Sequence, residues 1–212
     1  TLGAGDVQWM TAGSGILHQE MPKGNANGQM HGFQLWANLP SSLKMTAPRY
    51  QDVQGKDIPE IIDDDGTRVK VIVGSFWGKS GPVDGIAADP QYLDIYVPAG
   101  VKKTFKVDTY RKAFAYVFEG AGAFADASAP EGVLLEKEVM GEEVNIRDMS
   151  GNRTLIKFGT GEEVTVQAGE EGIRFLLISG APIQEPVAWH GPIVMNTREE
   201  LMQAFAELRN GT

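Results

Sequence analysis

The chain has 212 residues, 19 Lys and Arg against 28 Asp and Glu, no Cys, and 42% hydrophobic residues. Such a composition gives a globular chain with enough apolar surface to bury a core, as one large domain or two small ones, and excludes disordered and fibrous proteins. A net charge of −9 without a basic run leaves no electrostatic footprint for a nucleic-acid backbone. The lack of Cys removes disulfide scaffolds, thiolate metal clusters and cysteine nucleophiles, and no stretch approaches the roughly 18 apolar residues of a membrane span.

In chain order, short apolar and β-branched runs punctuated by Gly, Pro and Asp predict strands over residues 7–10, 16–21, 33–38, 68–73, 92–97, 113–118, 155–158, 163–166 and 175–178. Leu93, Ile95 and Val97 alternate with Tyr92, Asp94 and Tyr96, the period of a strand with one buried face. Glycines cluster at strand ends, among them Gly13 and Gly15, Gly120 and Gly122, and Gly169 and Gly172, where turns and bulges call for positive φ. Gly120-Ala121-Gly122 reads as a tight hairpin bend rather than a phosphate loop, since no helix follows.

Between Ser41 and Gly66 the strand pattern gives way to a polar, Pro-containing stretch that ends in Asp63-Asp64-Asp65-Gly66. This places a first unit with its linker over 1–62, a second over 63–190 and a C-terminal segment over 191–212. The acidic run lacks the spacing and terminal Glu of an EF-hand and reads as a solvated turn. One helix is predicted, at the end: Thr197 and Glu200 form a capping box ahead of Leu201, Ala204, Phe205 and Leu208, whose spacing expects a buried face, and Asn210-Gly211 closes it. The chain opens on Thr1-Leu2-Gly3 without the charged start or apolar run of a signal peptide, as expected of a processed or trimmed N-terminus.

Three histidines, His18, His31 and His190, limit where metal or general-base chemistry can lie. His18 and Glu20 are two apart on a predicted strand, so imidazole and carboxylate share a face and suit a first-row metal; a hydrogen-bonded His–Glu pair inside a barrel fits the same spacing. His31, before Gly32 and Phe33, is open to two readings, a third ligand of a two-His, one-carboxylate set or a structural histidine at a strand start. His190, in Trp189-His190-Gly191-Pro192, suits a chain reversal. Ser41 and Ser42 stand in no nucleophile elbow.

The segments Gly5-Asp6-Val7-Gln8-Trp9-Met10-Thr11-Ala12-Gly13, Gly15-Ile16-Leu17-His18-Gln19-Glu20-Met21, His31-Gly32-Phe33-Gln34-Leu35-Trp36-Ala37-Asn38 and Gly191-Pro192-Ile193-Val194-Met195-Asn196-Thr197 resemble the pirin family of the cupin superfamily. The resemblance runs over essentially the whole chain; residues 92–98, 113–119, 160–168 and 174–180 follow the strand order of the family's second barrel. It implies an all-β fold of two cupin β-barrels, the first incomplete here, with a C-terminal helix. It also implies one iron per intact chain, held by three His and one Glu in the N-terminal barrel. His18 and Glu20 match two of these ligands. The other two belong in the family to a His-x-His segment that would precede Thr1, so this chain alone is expected to hold iron weakly or not at all.

The second barrel has no His between His31 and His190, and packing, substrate cover or partner binding is expected of it. The activity implied by the resemblance is that of a quercetin 2,3-dioxygenase, with a flavonol or similar small aromatic substrate and with Glu20 also accepting a substrate proton. Two alternatives are a redox-responsive co-regulator that binds a protein partner without turnover, and a metal-free remnant. A cytoplasmic monomer is expected.

Overall fold

The computed structural model describes residues 2–21, 23–125 and 150–211. By internal contacts the chain forms two units, one of Thr1–Gln8 with Asp52–Pro182 and one of Trp9–Gln51 with Ile183–Thr212. The strands are β1 (Val7–Thr11), β2 (Arg49–Val53), β3 (Glu60–Ile62), β4 (Arg68–Val73), β5 (Ser75–Phe76), β6 (Lys79–Ser80), β7 (Gln91–Val97), β8 (Lys102–Lys106), β9 (Lys112–Phe124), β10 (Ser150–Gly151), β11 (Thr154–Lys157), β12 (Glu163–Gly180), β13 (Ala188–His190) and β14 (Ile193–Met195). Among the described residues there is one α-helix, α1 (Arg198–Asn210), and it ends the series, as the expected all-β class with a C-terminal helix requires. No helix among the described residues is long and apolar enough to cross a membrane.

The larger unit is built on an antiparallel sheet in the order β10-β9-β12-β7-β4-β3, with β11 on β9 and β8 on β12. The 18-residue β12 serves two layers. Its second half pairs with β7 on one side and the start of β9 on the other, while its first half pairs with β8 and the end of β9. The corner falls at the register break between Ala168 and Ile173, where Gly120 faces Ile173. A Cβ on Gly120, at φ 66°, would lie 2.1 Å from the Gly172 carbonyl oxygen, so the two strands can bend together only because this position is glycine.

Gly120 and Gly122 do not end a strand in a hairpin; β9 runs through them to Phe124. The predicted strands 163–166 and 175–178 are the two halves of one strand, β12.

The folded sheet encloses the core. Leu93, Ile95 and Val97 of β7 are fully buried, as their alternation predicts, together with Val69 and Val71 of β4, Val117 of β9, and Phe175 and Leu177 of β12. Phe175 meets Phe105 of β8 and Phe124 of β9 edge-on, at 6.0 and 5.4 Å between ring centroids, and so ties one layer to the other.

The acidic turn is not simply solvated. Asp63 and Asp65 both accept hydrogen bonds from the Lys103 ammonium of β8, which also lies 5.4 Å above the Trp77 ring. Burial pushes the Asp65 carboxyl up, but the hydrogen bonds from Lys103 and from Thr67 outweigh it and hold the group down at about 2, against an ordinary 3.8. A carboxyl depressed on folding stabilises above its unfolded pKa and loses that contribution as pH falls through the folded value. Asp65→Asn is therefore expected to lower the melting temperature at pH 6, with the difference from the parent shrinking as pH falls from about 4 to about 2. A difference that stays constant over that window would remove Asp65 from the acid sensitivity.

The smaller unit has little regular structure. The expected strands at 16–21 and 33–38 do not form: among the described residues no strand pairs with either segment. An extended run becomes a strand only when a neighbour takes up its N–H and C=O groups, and the apolar side chains that suggested burial stay open, with Leu17 87% and Trp36 59% exposed. Glu185 links two of its segments. Its carboxylate accepts from the Ser41 backbone N–H at 2.6 Å, the Ser41 hydroxyl at 3.2 Å and the Asn196 side-chain amide at 3.0 Å. Lys44, itself buried, donates to Asn38. Burial lowers the Lys44 pKa, with Glu185 and Glu200 acting against it.

β13 and β14 form a hairpin that leads into α1. The helix starts as predicted. The Glu200 N–H donates to the Thr197 hydroxyl at 3.2 Å, the Thr197 N–H donates to the Glu200 carboxylate at 2.9 Å, and Gly211 closes the end at φ 71°. The apolar face is less covered than expected: Leu201 and Phe205 are half-buried and Leu208 is 44% exposed. Thr197→Ala is expected to cost about 1 kcal/mol. Chemical denaturation reads that loss as a lower midpoint, and an unchanged midpoint would mean that the cap does not contribute.

Candidate metal centre and a second cleft

The segment that carries His18 and Glu20 begins at a fixed turn. The Ser14 N–H donates to the Thr46 carbonyl at 2.9 Å, and the Gly15 N–H returns to the Ala12 carbonyl at 2.9 Å. A Cβ on Gly13 would lie 2.1 Å from that Thr46 oxygen, so glycine is required for this close approach. Beyond the turn the chain is free of ladder bonds, yet His18 Nε2 stands 3.6 Å from Glu20 Oε1. The side chains are 46% and 62% exposed, so both heads are open to an incoming group.

An imidazole nitrogen and a carboxylate oxygen suit a first-row metal. Two donors at about 2.1 Å from one ion in adjacent positions lie roughly 3 Å apart. The observed separation needs only a small side-chain rotation to reach that span, so the pair fits two neighbouring coordination positions. It does not make a complete site: among the described residues no group of three or more His, Asp or Glu is placed to hold a metal ion.

The other histidines are engaged elsewhere. His31 stacks edge-on to Phe33 at 5.2 Å and is not gathered with His18 and Glu20, so a third-ligand role is not met in this arrangement. His190 ends β13 opposite Ile193 and packs its ring against Phe205 of α1 at 5.6 Å, in keeping with a role in the chain reversal.

A feature that sequence reasoning missed lies wholly within the larger unit: a cleft of about 460 Å³ lined in part by Phe76, Trp77, Lys106 and Glu162. Its residues come from separated segments, and none belongs to a recognisable motif. The one local signal is a bulky Trp directly before Gly78 in a short hairpin.

Comparison with known proteins agrees with this architecture. The pirin family model matches residues 1–37, and the model of the pirin C-terminal cupin domain matches residues 92–212. A pirin-like protein of Caulobacter vibrioides is 42% identical over 99% of this chain and 68% of its own length. Pirin-1 of Arabidopsis thaliana is 39% identical over 99% of this chain and 66% of its own length. Among solved structures, a quercetin 2,3-dioxygenase from Acinetobacter baumannii superposes with a TM-score of 0.75 at 32% identity, over 98% of this chain and 66% of that one. The chain thus spans about two thirds of the length of these relatives. With both family models matched and relatives alike over nearly its whole length, the chain belongs to the pirin family of the cupin superfamily.

Proposed function

We propose that the full-length protein is an iron-dependent dioxygenase acting on flavonols such as quercetin, with His18 and Glu20 as two of the metal's ligands. The observation that carries this reading is the approach of His18 Nε2 to within 3.6 Å of Glu20 Oε1, in a chain 32% identical to a quercetin 2,3-dioxygenase. By resemblance to the family, the remaining two ligands would come from a His-x-His segment preceding residue 1. When bound, iron supplies a Lewis-acidic centre that holds the substrate's oxygens and brings the ring system together with O₂.

The chain's own residues have separate tasks. His18 presents the lone pair of Nε2 to the metal. Glu20 has two oxygens, so one can ligate while the other accepts the proton of a substrate hydroxyl. The exposure of both heads leaves room for a planar substrate to enter beside them.

The test is O₂ uptake by the full-length, iron-loaded protein with quercetin as substrate. The expected result is O₂ consumption in step with loss of the flavonol's absorbance. Tight iron without O₂ uptake would overturn the enzymatic reading and leave a redox-responsive, protein-binding role.

A further inference from the structure

The segment that carries His18 and Glu20 is pinned on both sides of the pair. Ahead of it, the Ser14 N–H donates to the Thr46 carbonyl at 2.9 Å. After it, Asn38 accepts from the Lys44 ammonium, and the Trp36 ring meets Trp189 edge-on at 6.3 Å. Lys44 and Thr46 follow the short helical turn Ser41–Leu43, which is closed by hydrogen bonds from the Leu43, Lys44 and Thr46 N–H groups to the Pro40, Ser41 and Leu43 carbonyls. Residues 15–35, with the metal pair among them, thus form a loop whose base is residues 38–46.

None of the three turn residues is buried, so packing does little to fix the turn. Glu185, from the segment that leads into β13, holds it instead. Its Oε2 takes the Ser41 N–H at 2.6 Å together with the Asn196 amide at 3.0 Å, and its Oε1 takes the Ser41 hydroxyl at 3.2 Å. Bonds to an ionised acceptor are stronger than those between neutral groups. The Asn196 amide also donates to the Pro186 carbonyl at 3.0 Å, which orients the carboxylate from its own side. Directly before Glu185, Gln184 adopts φ 55°, a left-handed backbone uncommon outside glycine. Such a conformation persists where the surrounding contacts fix it.

We propose that Glu185 is a positioning residue for the metal pair: through the Ser41–Leu43 turn it fixes the base of the loop that presents His18 and Glu20. The proposal rests on the reading of that pair as ligands. The path is long in sequence but short in bonds, from Glu185 to Ser41, through the turn to Thr46, and from Thr46 to Ser14, all within the smaller unit. The spacing of His18 and Glu20 sets how the two heads stand to each other, and the base of the loop sets where both stand for ligands from elsewhere in the protein. Loosening the base should weaken and spread the coordination without removing a ligand.

The experiment compares full-length proteins carrying His18→Ala, Glu185→Ala, Glu185→Gln or Thr197→Ala. It reads ferrous iron affinity by competition with a chelator, and the electron paramagnetic resonance spectrum of the ferric form. Glu185→Ala is expected to lower affinity by about tenfold, the low end of the loss that follows removal of a group orienting a ligand, and to broaden the resonance. Glu185→Gln should restore both, because its carbonyl can accept from the Ser41 N–H and Asn196 while its NH₂ donates to the Ser41 hydroxyl. Thr197→Ala destabilises the same unit away from the turn and should keep the parent's affinity and spectrum. If Glu185→Ala fails to fold, Ser41→Pro carries the test: it removes both Ser41 donors, and Pro40 already has the extended ψ of 156° that a residue before proline requires. Iron retained by His18→Ala would overturn the reading of the pair and the proposal with it. Iron lost from His18→Ala, together with parent affinity and spectrum in Glu185→Ala or Ser41→Pro, no recovery in Glu185→Gln, or equal losses in Thr197→Ala, would overturn the proposal alone.

Discussion

In the full-length, iron-loaded protein, His18→Ala is expected to abolish iron retention and to lower quercetin-dependent O₂ uptake by more than about 100-fold. Loss of a partner that merely orients a ligand costs about 10- to 100-fold in affinity or activity, and loss of the ligand itself costs more. Glu20→Gln separates the two tasks assigned to Glu20. The amide keeps an oxygen donor, so some iron should remain, but it is a poor base, and general-base contributions run to about 10²–10⁴. Metal content and O₂ uptake measured side by side on both variants check the pair. Full activity in His18→Ala would remove the site from the reaction.

The largest expected effect on stability is that of Phe175→Ala. Phe175 is fully buried on β12, with Phe105 and Phe124 against its ring, at the point where the two layers of the folded sheet meet. Truncation removes the aromatic surface and leaves a cavity that a bent, doubly paired strand cannot close, at a cost of about 3–5 kcal/mol. For a chain of this size that lowers the melting temperature by roughly 6–20 °C. Leu155→Ala, on β11 at 56% exposure, is the control and should change stability by about 0.5 kcal/mol or less. Equal losses in the two variants would mean that the aromatic cluster is not the centre of the core.

Much of this fold could be read from residue patterns, but only where the pattern is local. The buried face of β7 follows from the alternation of Leu93, Ile95 and Val97, and the start of α1 from the spacing of Thr197 and Glu200, because each is decided within a few residues. Residues 16–21 and 33–38 have the apolar run of a strand but no partner among the described residues, and apolar spacing reports a tendency to be buried rather than the presence of a neighbour. β12 looks like two strands because Gly169 and Gly172 interrupt it, yet the interruption is the corner of one strand. β8 escaped notice since Lys102, Lys103, Thr104 and Lys106 surround a lone Phe105, the only fully buried member of the strand.

The candidate metal pair was legible for the same reason that β7 was: positions i and i+2 of an extended chain share a side, whether or not a ladder forms. Long-range pairing leaves no local trace. Lys103 lies some 40 positions from the Asp63 that it neutralises, and the residues lining the cleft come from well-separated segments. The exposed face of α1 belongs here too, since helical spacing selects the side that faces a neighbour without stating how far the neighbour extends over Leu208.

The most direct test of the metal assignment is an anomalous difference map, recorded at the iron absorption edge on crystals of the full-length, iron-loaded protein. One strong peak within bonding distance of both His18 Nε2 and a Glu20 carboxylate oxygen is expected. A peak ligated by other residues, with His18 and Glu20 left free of it, would remove both from the metal's ligand set.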